Sequence, residues 1–388
     1  QRLGNLDPDR AVAGDHRRLA HGMDEQPAFE PRVPPRDQHV PPLGKWTGDH
    51  TAHSVIVNRA KRSLAVDLKT TAGVAIVQQL ARGCDVLVQN FRVGKIDKFA
   101  LDYENVRKFN PEVIYLAITG FGPKGPRCDD PATDSVMQAY TGMMSINRGP
   151  TGLPQRIEML AIDFATGLYA SQAVAAALYK KATKGRGGYI ETSLLESSLA
   201  LQEGAMMEQH LQGGATEPIG MPVGMFKTRD GYMSVNARRD AHFQRLAKLL
   251  GKDEWLDDPR FADARSRVTH RAELMAEVRP ILETKTTDEW IELFSSIDIL
   301  KAKVNTYKDL FADPQVQAVD AVHWVENDTL GRVPMSSICG QRPPATGDRL
   351  THSPHVGEHT REILGELGYC ARDIEKLSTA GVVSCYGG

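Results

Sequence analysis

The chain has 388 residues, which is more than one hydrophobic core usually covers, so its length predicts two structural units. Apolar residues make up 41% and charged residues 25% of the sequence, which excludes wholesale disorder, collagen and coiled coil. The 47 basic and 49 acidic residues give a formal charge of -2, so no global basic field gathers nucleic acid or anionic lipid.

Charges interrupt the apolar stretches before they reach the roughly eighteen residues that a membrane span needs. No basic segment followed by an apolar one stands at the N-terminus. We therefore expect a cytoplasmic protein that has neither nucleic acid nor membrane as a partner. The five cysteines form no CxxC pair and no zinc-type spacing with histidine, so no metal site is predicted.

Residues 1–42 differ in composition from the rest of the chain. They contain seven prolines and six arginines, and no helical or alternating apolar period can be counted in them. Because each proline removes a donor from a β ladder, we predict an irregular segment that supplies no core strand.

Strand and helix patterns alternate from Ser63 onward. The runs are strand-like at 63–68, 85–89 and 113–118, and helical at 71–82 and 102–109. This βαβαβ alternation predicts an α/β fold with a parallel sheet. The third strand runs into the Gly/Pro-rich loop 120–126, which either closes a crossover or approaches a ligand at the carboxyl end of the strand.

The longest predicted helix runs from Asp163 to about Lys181 and ends in the glycine-rich segment 184–188. Asp163 in its first turn fits a helix cap, and the positive helix end would keep the carboxylate ionised. An ionised carboxylate is also what a covalent nucleophile requires, so both roles stay open.

Two polar segments adjoin the predicted strands. Residues 58–63 place three cations before the first strand, and Lys69 follows that strand. Residues 90–94 follow the second strand with an amide, an aromatic ring and a guanidinium. Each segment is either a solvated turn or a contact to a phosphate-bearing ligand.

A different pattern begins near Val223. A hairpin up to Asn236, two helices near 240–250 and 271–283, and a capping box at 286–289 predict a smaller α+β unit. Two short strands and two helices follow after about Val316. The sequence contains no P-loop, HExxH or GxSxG motif in a convincing context.

Taken together, these segments resemble the class III coenzyme A transferases, the group of formyl-CoA and carnitine CoA-transferases. The resemblance runs from about Leu43 to Val383. The matching motifs lie, in family order, at 57–69, 85–92, 120–126, 163–167 and 184–188.

This resemblance implies a Rossmann-like large domain with a parallel sheet, a smaller α+β domain, and a homodimer of interlocked subunits. The implied divisions are an atypical segment 1–42, the first part of the large domain 43–224, the small domain 225–318 and the return to the large domain 319–388.

The resemblance also implies the chemistry. Coenzyme A passes from an acyl-CoA to a free carboxylic acid through covalent intermediates on Asp163, with no permanently bound cofactor. A weaker match places Gly220 and Gly224 in a flexible substrate loop that would act as a lid. The positions at which the family contacts coenzyme A are Val66, Leu68, Lys69, Asn90, Phe91, Arg92, Lys98 and Phe99.

Two alternatives accompany this interpretation. The α-methylacyl-CoA racemase branch carries a Gly-His-Asp element before its aspartate, whereas residues 132–134 here read Ala-Thr-Asp, and Thr133 cannot serve as that base. The other alternative is a non-catalytic CoA-binding remnant, because residues 1–42 lack the family's opening strands. Their composition is that of a GC-rich gene translated in the wrong frame, so we expect a frameshift there.

Overall fold

The computed structural model describes residues 44, 46–48, 50–148, 152–213, 218–337 and 339–387. The chain divides into two compact units, Gln1–Glu203 with Val322–Gly388, and Gly204–Ala321. The segment 1–42 lies outside the described residues, so its irregular structure stays a prediction.

The first unit begins with the elements that carry the motifs. In chain order they are α1 (Ala52–Val57), β1 (Ala65–Val66), α2 (Thr71–Gly83), β2 (Val86–Gln89), a 3-10 helix (Ile96–Phe99), α3 (Tyr103–Phe109), β3 (Ile114–Thr119), α4 (Asp134–Tyr140), α5 (Met143–Ile146), α6 (Ala161–Lys184), β4 (Gly188–Ser193) and α7 (Leu194–Leu201).

The rest of the chain forms the second unit and then returns to the first. Up to the return, the elements are α8 (Glu203–Gln212), β5 (Val223–Lys227), β6 (Tyr232–Asn236), α9 (Asp240–Leu249), a 3-10 helix (Asp253–Leu256), α10 (Ala264–Thr269), α11 (Arg271–Leu282), α12 (Thr287–Ser295), β7 (Leu300–Lys303), α13 (Tyr307–Ala312) and α14 (Pro314–Ala318). The returning elements are β8 (Val322–Asn327), β9 (Gly331–Ser336), a 3-10 helix (Arg349–Thr351), α15 (Thr360–Glu366), α16 (Ala371–Thr379) and β10 (Val383–Ser384).

A parallel sheet in the order β2-β3-β4 forms the centre of the first unit. Ile114 on the central strand pairs with Val86 on one side and Gly188 on the other. The first four residues of β3 are buried, as expected of a strand covered on both faces. The predicted α/β fold with a parallel sheet is therefore confirmed.

Strand β1 does not join this sheet. Ala65 and Val66 pair antiparallel with Ser384 and Val383 of β10 instead. The adjoining Leu64 is buried in a cluster with apolar side chains of α15, α16 and β10, which determines the partner of β1. The predicted βαβαβ pattern is thus correct for its last two strands and wrong for its first.

The second unit contains an antiparallel sheet in the order β5-β6-β7. The predicted capping box is present, since Glu289 N donates to Thr286 Oγ1 at 3.2 Å and Thr286 N donates to Glu289 Oε2 at 2.7 Å. The predicted hairpin and the helices of this region are confirmed. Across the described part of the chain, no helix combines the length and apolarity needed to cross a bilayer.

The turn before α2 yields a stability prediction. A Cβ at Gly73 would lie 2.0 Å from the backbone oxygen of Asp67, so Gly73→Ala must push this turn apart. We expect a destabilisation of about 1–3 kcal/mol, seen as a lower thermal midpoint. Gly83→Ala in the same helix meets nothing within 4 Å and is the control. It should not lower the midpoint, because alanine favours a helix over glycine. Equal midpoints for the two variants would contradict the packing at Gly73.

Candidate active site

The loop after β3 packs against the starts of two helices. A Cβ at Gly120 would lie 2.3 Å from the Cβ of Ala132, just before α4, so this approach requires glycine. Leu195 N, at the start of α7, donates to the Gly120 carbonyl at 3.0 Å. The loop 120–126 therefore makes a close structural contact, and it lies at the carboxyl end of β3 as predicted.

An apolar cluster connects this loop to α6. Met137, Met143 and Ile162 are buried there, and Phe121 from the loop packs against them. The Phe121 ring also meets the Tyr140 ring edge to face at 5.0 Å. The first turn of α6 is thus fixed from below by packed side chains of the loop, α4 and α5.

Asp163 is the third residue of α6, and it is partly exposed to solvent. Leu160 occupies the cap position and offers no side-chain hydrogen bond. Instead, Asp134 Oδ2 accepts from Ile162 N at 2.7 Å and from Asp163 N at 3.2 Å. Asp134 therefore caps α6, and the interpretation of Asp163 as the cap is wrong. This leaves the Asp163 carboxylate for another role.

The electrostatic setting of Asp163 also differs from the prediction. Partial desolvation by the surrounding protein, and secondarily the Asp134 carboxylate, raise the pKa of Asp163 from 3.8 to about 6. Burial and the Asp134 charge outweigh the lowering expected from the helix end, where Asp134 also accepts from two of the N–H groups. At pH 7, about one unit above this pKa, roughly nine in ten carboxylates are still ionised.

The residues implied for coenzyme A lie on both flanks of α2. Val66 packs in one apolar cluster with Leu80 of α2. Phe91 and Phe99 pack in another cluster with Val77 of the same helix, and their rings meet edge to face at 6.1 Å. The structure therefore brings the segments 66–69 and 90–99 to one helix. The polar members of the set are exposed: Lys69, Asn90, Arg92 and Lys98.

Of these segments, the one that follows β2 shares an edge of the parallel sheet with the start of α6. Asn90 follows β2 and Gly120 follows β3, and the carboxyl ends of parallel strands lie at the same edge. Helix α6 starts at this edge and ends at the other, where Lys181 Nζ lies 3.0 Å from Asp85 Oδ1 before β2. The sheet thus places Asp163 and the implied coenzyme residues that follow β2 at one edge.

The predicted substrate loop makes close contacts within the second unit. Gly220 is buried, and a Cβ on it would lie 2.3 Å from the backbone oxygen of Arg238. Arg267 Nε donates to the Met221 carbonyl at 3.0 Å, and Gly224 pairs with Val235 inside β5. These contacts describe one arrangement of the segment, and its roles as a lid and in substrate binding stay predictions.

No functional motif singles out Asp134 and Gln138, although both are buried polar residues near the start of α6. Their only sequence signal is a carboxylate and an amide four residues apart in a short helix, which does not reveal a contact with residues 157–163. Within the described ranges, no group of three or more His, Cys, Asp or Glu side chains is arranged to hold a metal.

Comparison with known proteins identifies the family. The model of CoA-transferase family III matches residues 29–360, so the similarity begins earlier than residue 43. Human succinyl-CoA:glutarate CoA-transferase is 33% identical over 346 residues, covering 87% of this chain and 79% of that protein. Succinate–glutarate CoA-transferase of Agrobacterium fabrum is 35% identical over 341 residues, with coverages of 83% and 81%.

A solved structure agrees with these relatives. The crystal structure of a CAIB/BAIF family protein from Brucella suis superposes with a TM-score of 0.72 at 30% identity. The match covers 82% of this chain and 85% of that one. The chain therefore belongs to CoA-transferase family III, and it is an enzyme that transfers coenzyme A between an acyl-CoA and a carboxylic acid.

Proposed function

We propose that Asp163 is the covalent nucleophile of this transfer. One observation carries the proposal: the Asp163 carboxylate stands at the start of α6 without serving as its cap, because Asp134 takes that role. The group is ionised at neutral pH and its raised pKa of about 6 makes it more basic than an ordinary aspartate. An ionised carboxylate with this basicity suits attack on a thioester.

The proposed steps balance without a proton or an external oxidant. An oxygen of Asp163 attacks the thioester carbon and the C–S bond breaks. CoA leaves as a thiolate, and the acyl group and Asp163 remain joined as a mixed anhydride. The thiolate then attacks the Asp163 carbonyl, releasing the donor acid and forming a thioester on Asp163. The acceptor carboxylate and the thiolate repeat these two steps in reverse, which regenerates Asp163 and releases the new acyl-CoA.

The contacts around α2 support a binding role for the implied coenzyme residues. Phe91 and Phe99 form an aromatic pair, and Lys69, Arg92 and Lys98 are exposed cations near it. Cations of this kind bind phosphate groups, whereas aromatic faces suit an adenine ring. We assign the remaining members of the set, Val66, Leu68 and Asn90, to the same site.

For the acid substrates we propose short dicarboxylic acids, because the two relatives described above are named for succinate or succinyl-CoA and for glutarate.

We also propose that the first unit is Rossmann-like and that two subunits form an interlocked homodimer. The exposed apolar side chains of Phe164, Leu168 and Tyr179 on α6 would be covered by a second subunit.

Asp163→Ala and Asp163→Asn should each abolish transfer from succinyl-CoA to glutarate, because no other group replaces the nucleophile. Losses of several decades are usual for a residue of this kind. Turnover is measured by separating the two acyl-CoA species. Activity above about one per cent in either variant rules out the covalent role. Proton exchange beside the thioester without transfer would indicate racemase chemistry instead.

Stability against pH separates a nucleophile from a cap. The folded-state pKa of Asp163 lies above its ordinary value of 3.8, so its ionised form destabilises the fold above about pH 6. Asp163→Ala should therefore raise the thermal midpoint at pH 7, and this gain should disappear as the pH falls from about 6 to 4.

Asp263→Ala is the matched control of opposite sign. Asp263 caps α10, and its hydrogen bond with Ser266 lowers its pKa. Removing it should lower the midpoint at pH 7 by the loss of a cap, and the loss should shrink in acid. If Asp163→Ala behaves like this control, Asp163 is a cap after all.

Lys69→Ala and Arg92→Ala should raise the apparent KM for acyl-CoA with little change in kcat or in the KM for the acceptor. Contacts to a remote phosphate stabilise substrate and transition state equally, and added salt should weaken them. Lys180→Ala, an exposed lysine near the far end of α6, is the control and should leave the constants unchanged. Equal changes in the KM for acyl-CoA and in the KM for the acceptor would contradict the assignment of Lys69 and Arg92 to the coenzyme site.

A further inference from the structure

A buried polar pair lies beneath the start of α6. Asp134 is 4% exposed and Gln138, one helical turn later on α4, is 1% exposed. Gln138 Nε2 donates to Asp134 Oδ1 at 2.6 Å. Because a buried carboxylate is unfavourable unless it is hydrogen-bonded, this arrangement needs the partners that surround it.

The second carboxylate oxygen of Asp134 holds the backbone of α6. It accepts from Ile162 N and from Asp163 N, the amide of the proposed nucleophile itself. These are the donors that an N-cap side chain normally satisfies. Since Leu160 supplies no such bond, the start of α6 depends on a carboxylate from another helix.

Gln138 fixes the segment that leads into α6. Its Oε1 accepts from Ile157 N at 2.8 Å, and its Nε2 donates to the Ile157 carbonyl at 3.1 Å. The Met159 carbonyl lies at 3.4 Å from the same nitrogen. Asp134 and Gln138 therefore anchor the backbone on both sides of the turn into α6. The charged side chains of this segment, Arg156 and Glu158, pair with each other.

We propose that Asp134 is a positioning residue for Asp163, holding its backbone at the edge of the sheet throughout the transfer, with Gln138 as its support. This inference rests on the proposed role of Asp163. A displacement of about 1 Å at a reacting group can cost on the order of 100-fold in rate, so a backbone anchor of this kind affects catalysis.

The charge of Asp134 has a second consequence for the same step. During the transfer Asp163 alternates between an anion and a neutral acyl derivative, while Asp134 stays beside it. Burial raises the pKa of Asp163 most, and the like charge of Asp134 raises it further, so Asp134 makes the anionic state less favourable. Asp134 thereby favours the acylated states over the free carboxylate.

Three forms of the enzyme test the inference: the unaltered protein, Asp134→Asn and Asp134→Ala. The asparagine oxygen can still accept from the two backbone amides, but the charge and the hydrogen bond from Gln138 Nε2 are lost. Alanine removes the bonds to the backbone amides as well. We measure kcat for transfer from succinyl-CoA to glutarate against pH, the KM for succinyl-CoA, and the fraction of subunits that form a CoA adduct by whole-protein mass.

Asp134→Ala should lower kcat per adduct-forming subunit by about 10–100-fold, with the KM for succinyl-CoA within about twofold. Asp134→Asn should restore most of that rate. In the unaltered enzyme, kcat should fall in acid as Asp163 becomes protonated, and this fall is the acidic limb of the pH profile. In both variants the acidic limb should move to lower pH, because the like charge beside Asp163 is gone. Asp263→Ala, a cap in the second unit, should change stability without moving the limb.

Three results would overturn the inference. Unchanged kcat and an unchanged acidic limb in both Asp134 variants would show that Asp134 does not act on Asp163. Activity that falls only with the amount of folded protein, at an unmoved limb, would show a merely structural role. An unaltered enzyme that transfers CoA without an adduct on Asp163 would instead overturn the proposed function, and the inference with it.

Discussion

The start of α6 depends on hydrogen bonds from one buried carboxylate, and the site follows from that constraint. Four N–H groups at a helix start lack partners within the helix, and Leu160 cannot supply one here. Asp134 satisfies two of them from α4, so α4 and α6 are fixed to each other. The same bonds leave the Asp163 carboxylate unused as a cap and place a second negative charge near it. Asp134 therefore fixes the backbone geometry at Asp163, and its charge adds to the basicity that burial of Asp163 produces.

The parallel sheet extends this local constraint to the coenzyme residues. Asn90 and Gly120 follow neighbouring strands, and α6 begins at the edge where those strands end. In the proposed assignment, the coenzyme residues that follow β2 and the Asp163 carboxylate both lie next to rigid elements of the first unit. The loop 120–126 approaches Ala132 closely at Gly120. A residue with a side chain at position 120 could not approach to the same distance.

Much of this fold follows from local patterns that can be recognised in the sequence. The apolar run of β3, the capping box at Thr286 and the glycine stop after Lys184 each act within a few residues, so their elements were predictable. The partner of β1 was not, because it depends on contacts with residues about 300 positions later, such as Val383. The prediction of the α6 cap was wrong for the same reason. Asp134 and Ile162 are 28 residues apart, and the helical period of the sequence does not reveal that they are hydrogen-bonded. The place of Asp163 at the start of a helix was predictable from the sequence. The direction of its pKa shift was not, because it depends on burial and on Asp134, which only the three-dimensional structure shows.

The most direct measurement traps the thioester proposed on Asp163. The enzyme is incubated with succinyl-CoA alone, treated with hydroxylamine, digested, and its peptides are mapped by mass. A hydroxamate confined to Asp163, and formed only after incubation with succinyl-CoA, is the expected result, because hydroxylamine attacks an activated aspartyl carbonyl and releases CoA. A fully active enzyme that carries no hydroxamate, or carries it on another residue, would contradict a covalent role for Asp163.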